Sequence, residues 1–159
     1  MLFEEIDIEN VNKDKMKILL IVNLCPHYRI KLFELLDKMY DIQFLFFSKG
    51  ERYYDGARYL GNFKGEYVWG FNIAPKLRLN PKLIYELIRY PYTHLIAGIS
   101  GALPLFLSFV ISKIRRKKFV LWTGLWHHPQ TLFHRISFPF VKFIYKHSDA
   151  IIGYGLHVK

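Results

Sequence analysis

The sequence predicts an α/β domain: a doubly wound, Rossmann-like parallel sheet with helices on both faces. Three observations lead there. Short apolar, β-branched runs recur along the chain, as strands buried on both faces require. Stretches with helical spacing of apolar residues separate them. The chain has 159 residues, 52% of them hydrophobic, which suffices for one core and one domain.

Residues 16–23, Met-Lys-Ile-Leu-Leu-Ile-Val-Asn, form the first such run, and Pro26 closes the turn after it. Residues 29–39 place Ile30, Phe33, Leu35, Leu36 and Met39 at helical spacing. Residues 42–47 read as a second strand, 48–65 as a loop rich in Gly, Arg and Tyr, and 66–70 as a third strand. Asn80-Pro81 marks a helix start, with Asn as N-cap and Pro at the first helical position. The alternation then repeats. Residues 93–97 read as a strand, 101–114 as a helix, 119–122 as a strand, 131–147 as a helix broken near Pro139, and 149–154 as a last strand. Residues 155–159 resemble the opening of another helix, as expected for one half of a larger protein.

One stretch invites a membrane reading. Residues 95–112 run 18 positions without a charge, and the basic segment Lys113-Ile-Arg-Arg-Lys-Lys118 follows. Gly98, Ser100, Gly101 and Pro104 inside it fit a strand, a glycine turn and a helix with proline in its first turn better.

Charge is distributed unevenly. The chain holds 23 Lys+Arg against 13 Asp+Glu, a net of +10. Residues 1–15 form an acidic extension, with five acids, two lysines and a net of −3. From residue 87 onward there are ten Lys/Arg and one acid, Asp149, a net of +9. An anionic partner or a solvated basic surface both account for this. Residues 133–145 interleave Phe with Arg135 and Lys142, which suits a helix on an anionic membrane surface as well as one packed on a core. Nucleic acid is disfavoured, since no helix-turn-helix, RRM or KH pattern is present. The one cysteine, Cys25, and the absence of a signal sequence point to a reducing, cytoplasmic setting, at the inner face of the membrane if the basic surface meets lipid.

In open parallel sheets ligands sit beyond the carboxyl ends of the strands. The loops there hold Cys25, His27, Tyr28 and Arg29; Ser48 to Arg52; Gly98, Ser100 and Gly101; and Thr123 to His128. Gly98-x-Ser-Gly101 before a helix fits a phosphate cradle, and equally the close packing of strand on helix. No G-x-G-x-x-G follows the first strand and no Walker A sequence occurs. His127 and His128 are adjacent, so no metal site is expected. A general-base or orienting role suits one of them, as does capping of a loop beside Trp126. Cys25 reads as a small buried hydrophobe rather than a nucleophile.

Three segments, in order, resemble family 4 nucleotide-sugar glycosyltransferases. They are Ile18-Leu-Leu-Ile-Val22 with Pro26-His-Tyr28-Arg29-Ile-Lys-Leu32-Phe33; Leu121-Trp122-Thr-Gly-Leu-Trp126-His127; and Ser148-Asp149-Ala-Ile-Ile-Gly-Tyr154-Gly155-x-x-Val-Lys159. The resemblance spans residues 16–159. It departs at Leu24-Cys-Pro-His27, where many members carry a Gly-Gly loop. It implies one half of a GT-B fold, the acceptor-side domain, with the donor-binding domain and its Glu-x7-Glu motif beyond Lys159. The implied activity is transfer of a sugar from a nucleotide-sugar co-substrate to a glycan or lipid-linked acceptor, with no other cofactor. This stretch alone is expected to be inactive. The implied roles are His127 as the catalytic group (His128 if the register is off by one) and His27, Tyr28, Arg29, Ser100, Gly101, Trp126 and His128 as substrate-binding residues. The alternative is a non-catalytic basic α/β module that binds nucleic acid or a protein partner.

Overall fold

The computed structural model describes residues 16–48, 61–74, 77–124 and 132–153. The acidic extension, the segment holding Trp126, His127 and His128, and the helix opening at 155–159 lie outside them. Six parallel strands make the main sheet: β1 Lys17–Val22, β2 Asp41–Phe46, β3 Gly65–Tyr67, β6 His94–Gly98, β7 Lys118–Thr123 and β8 Ala150–Gly153. β4 Phe71–Ala74 and β5 Leu77–Leu79 form a separate antiparallel hairpin. The helices are α1 Ile30–Met39, α2 Pro81–Arg89, α3 Ala102–Ile114 and α4 Leu132–His147. The sheet order is β3-β2-β1-β6-β7-β8, so strand order reverses between β1 and β6. This is the Rossmann-like, doubly wound arrangement.

Alternate residues of β1, β2, β6 and β7 supply two cores. Leu19, Ile21, Leu95, Ala97, Phe119 and Leu121 face Leu83 and Leu87 of α2, Leu105 and Phe109 of α3, and Ile144 of α4. Ile18, Leu20, Val22, Ile42, Phe44 and Phe46 face Phe33 of α1. Five of the six β1 positions are buried, which is why its sequence is apolar without alternation. The uncharged 95–112 stretch resolves into β6, a glycine turn and α3. Among the described residues no helix is long and apolar enough to cross a membrane.

Several features differ from the sequence reading. The third strand lies at Gly65–Tyr67 rather than 66–70, and the β4–β5 hairpin follows it. Helix α4 runs unbroken through Pro139. Pro139 is exposed, so the loss of its N–H is not compounded by a clash with the packed core. Asn80 occupies the N-cap position of α2, yet its side chain makes no capping bond. Buried instead, its Nδ2 donates toward the carbonyls of Phe47, Val68 and Trp69 at 3.4, 3.2 and 3.2 Å. It ties the ends of β2 and β3 to the start of α2.

The basic run after α3 is partly structural. Arg115 donates to the carbonyls of Leu87 and Tyr90 at 2.7 and 3.0 Å, closing the last turn of α2, and its guanidinium lies 4.9 Å from the Tyr92 ring centroid. Lys113 and Lys118 both reach Asp149, at 2.7 and 3.4 Å. The Phe119 N–H donates to the same carboxylate at 2.9 Å.

Candidate functional site at the switch point

The reversal between β1 and β6 sends the following helices to opposite faces, α1 to one and α3 to the other. The loops leaving those two strands therefore diverge and open a crevice at their carboxyl ends. The strands are close there: a Cβ on Gly98 would stand 3.0 Å from Val22 Cγ1. Beyond Gly98 the Ile99 N–H donates to the Trp122 carbonyl at 3.0 Å, and the Ser100 N–H to the Gly98 carbonyl at 2.8 Å. Gly101 then turns into α3 with φ +73°, a left-handed conformation that favours glycine. A Cβ on Gly101 would stand 2.8 Å from Phe47 Cε2, so close packing alone accounts for a glycine here. The first amides of α3, Ala102 and Leu103, have no acceptor within their own helix.

The loop after β1 begins buried and ends exposed. Cys25 is 1% exposed, and its N–H donates to the Tyr67 hydroxyl at 3.1 Å. Burial pushes the Cys25 thiol up to about 11, against the opposing pull of the Arg29 cation, so it stays protonated near neutrality. Burial likewise raises the Tyr67 hydroxyl. A single 3-10 turn, His27–Arg29, carries the next three candidates. His27 and Tyr28 are exposed and meet edge to face at 5.7 Å. Arg29 is half-buried, its guanidinium 4.9 Å from the Trp122 ring centroid and 5.5 Å from that of Tyr28. Trp122 is braced in turn by the edge of Phe33 at 6.3 Å. Stacking thus holds the guanidinium over the end of β7.

Of the predicted site residues, the structure brings His27, Tyr28 and Arg29 into one cluster and places Ser100 and Gly101 on the neighbouring strand end. His127, His128 and Trp126 lie outside the described residues. Trp122 and Tyr67 were not among the candidates. Their signal was position: each sits at or next to the carboxyl end of a strand. Next to Trp122, the Thr123 hydroxyl lies 2.8 Å from the Tyr145 hydroxyl, fastening the end of β7 to α4.

Two carboxylates lie at the amino ends of the strands, and residues 49–52 of the loop after β2 lie outside the described residues. Asp41 starts β2 and Asp149 immediately precedes β8, both at the amino ends of the strands. Among the described residues the loops at the carboxyl ends hold no Asp or Glu. A guanidinium and the positive end of the α3 dipole are there instead, an arrangement suited to an anion. Among the described residues no three His, Cys, Asp or Glu side chains come together in a way that would hold a metal. Comparison with protein-family models, curated proteins and solved structures finds no match to this chain.

Proposed function

We propose that this domain is the acceptor-side half of a nucleotide-sugar glycosyltransferase, working in the cytoplasm on a glycan or lipid-linked acceptor. The observation that carries this reading is the stacking of Arg29 over Trp122 at the strand-order reversal, beside the start of α3. A guanidinium so placed suits a phosphate or diphosphate group. The resemblance of the three segments supplies the reaction class. In this reading Tyr28, Arg29, His27, Ser100 and Gly101 position the acceptor, with Trp126 and His128 near its sugar. His127 takes the proton of the attacking acceptor hydroxyl as its oxygen bonds to the anomeric carbon, and the nucleoside diphosphate leaves with the electrons of the broken C–O bond.

The test uses the protein expressed from its whole reading frame, a panel of labelled nucleotide sugars, and membrane extract as acceptor source. Transfer is expected, and His127→Ala is expected to lower kcat by about 10²-fold or more while leaving the melting temperature nearly unchanged. Arg29→Ala should raise KM for the acceptor. Absence of transfer from every donor, together with salt-sensitive binding of RNA or DNA, would instead favour the non-catalytic basic module.

A further inference from the structure

Helices α3 and α4 carry an apolar ridge that the fold leaves in the open. Phe106, Val110 and Ile114 recur every fourth residue of α3 and so share one side. Phe106 is 43% exposed and Ile114 75%. On α4, Phe140 is 61% and Phe143 53% exposed. The two rows join: Phe106 meets Phe140 edge to face at 6.5 Å, and Phe109, beside Phe106 on α3, meets Phe143 at 5.9 Å. Contiguous exposed apolar surface of this kind marks a contact face.

Charge selects what the face contacts. Lys113 and Lys118 are committed to Asp149, and Arg115 to the end of α2. Arg116, Lys117, Lys142 and Lys146 make no ion pair among the described residues. Arg116 also has φ 55°, a left-handed conformation in which glycine would be unstrained, so the chain carries a cation there at the expense of its backbone. A second copy meeting this face symmetrically would set these cations against one another. Aromatics with lysines and arginines alongside match a phospholipid surface, where apolar rings reach the acyl boundary and the ammonium groups reach outward to phosphate.

We propose that the α3–α4 face docks on an anionic phospholipid bilayer. Phe106, Phe140, Phe143 and Ile114 enter the interface, and Arg116, Lys117, Lys142 and Lys146 meet the headgroups. The inference stands apart from sugar transfer, because none of these residues belongs to the switch-point crevice. Cosedimentation of the full chain with vesicles of phosphatidylcholine, with and without phosphatidylglycerol, tests it. Binding is expected to require phosphatidylglycerol and to weaken as salt screens the attraction. Lys142→Gln and Lys146→Gln should each weaken partition by about fivefold. Ile114→Gln, at a site too exposed to matter for folding, should weaken it several-fold with an unchanged melting temperature. Tyr85→Ser on α2 should leave it as it was. Equal binding to both vesicle types, no binding to either, or full binding by Ile114→Gln would overturn the proposal. So would a dimer, measured by light scattering, that Ile114→Gln dissociates.

Discussion

Gly101→Ala separates the two physical accounts of the turn into α3. Gly101 has φ +73°, and an alanine forced to keep that conformation is strained by about 1–2 kcal/mol. Its Cβ would also stand 2.8 and 3.1 Å from Phe47 Cε2 and Cζ and 3.3 Å from Pro104 Cγ. Phe47 is 5% exposed and cannot swing into solvent, so relief requires shifts within the core, at roughly 1–3 kcal/mol. The lower entropy of an unfolded chain with alanine returns about 0.5–1 kcal/mol. The balance is a loss of roughly 2–3 kcal/mol. Urea unfolding followed by circular dichroism reads this directly: with a slope of about 1–3 kcal/mol/M, the midpoint should fall by roughly 0.7–3 M. Gly98→Ala is the internal comparison. Its φ is not in the left-handed region and its nearest contact is Val22 Cγ1 at 3.0 Å, so about 1 kcal/mol is expected. A Gly101→Ala protein within about 0.5 kcal/mol of the parent would refute the argument from strain and packing. The glycine would then be explained by the close approach of a bound anion to its backbone.

Two further predictions concern stability. Asn80→Ala leaves the carbonyls of Phe47, Val68 and Trp69 without their shared donor, which should cost roughly 2–3 kcal/mol in the same urea assay. Asn80→Asp should cost more, since it turns a carboxylate oxygen toward three carbonyls. Asp149 is held from its ordinary 3.8 down to about 2, first by the hydrogen bond from Lys113, then by the Phe119 N–H and the further bond from Lys118. The folded-state value is depressed, so the stabilisation is present above pH 4 and is lost as pH falls from about 4 through about 2. The group is partly exposed and screened, so Asp149→Asn should cost only about 1 kcal/mol at neutral pH. Its unfolding midpoint should converge with the parent's near pH 2; a gap that persists there would contradict the assigned ion pair.

The strands and helices were legible where burial dictates composition. β1 and most of β2 are buried on both faces, and β6 and β7 are buried on one and half-buried on the other, so their apolar runs stand out from the loops. The β4–β5 hairpin went unread because it is short, β4 is exposed throughout, and its pairing shifts register between Asn72 and Ala74. Neither a covered face nor a clean alternation marks it. Pro139 misled for the opposite reason, since a strong local breaker matters less on an exposed helix face than in a packed one. Asn80 was placed at the right position with the wrong bonding. Its three acceptors come from Phe47, Val68 and Trp69, and local sequence carries no record of such a convergence.

The candidate site follows the same division. Which loops matter was readable, because a parallel sheet presents its strand ends together. How Arg29 is held was not, because it depends on one row across three strands. Val22, Gly98 and Trp122 are neighbours at the carboxyl ends of β1, β6 and β7, on the face that α1 covers. Gly98 leaves the middle of that row without a side chain, while Arg29, leaving the loop after β1, has its guanidinium 4.9 Å from the Trp122 ring beyond it. The glycine that resembles a phosphate cradle in sequence thus has a second consequence in three dimensions. It clears the α1 face of the sheet between the strand from which Arg29 departs and the tryptophan on which it rests. A bulky residue at 98 would stand in that gap, displacing the cation from the rim as well as crowding Val22.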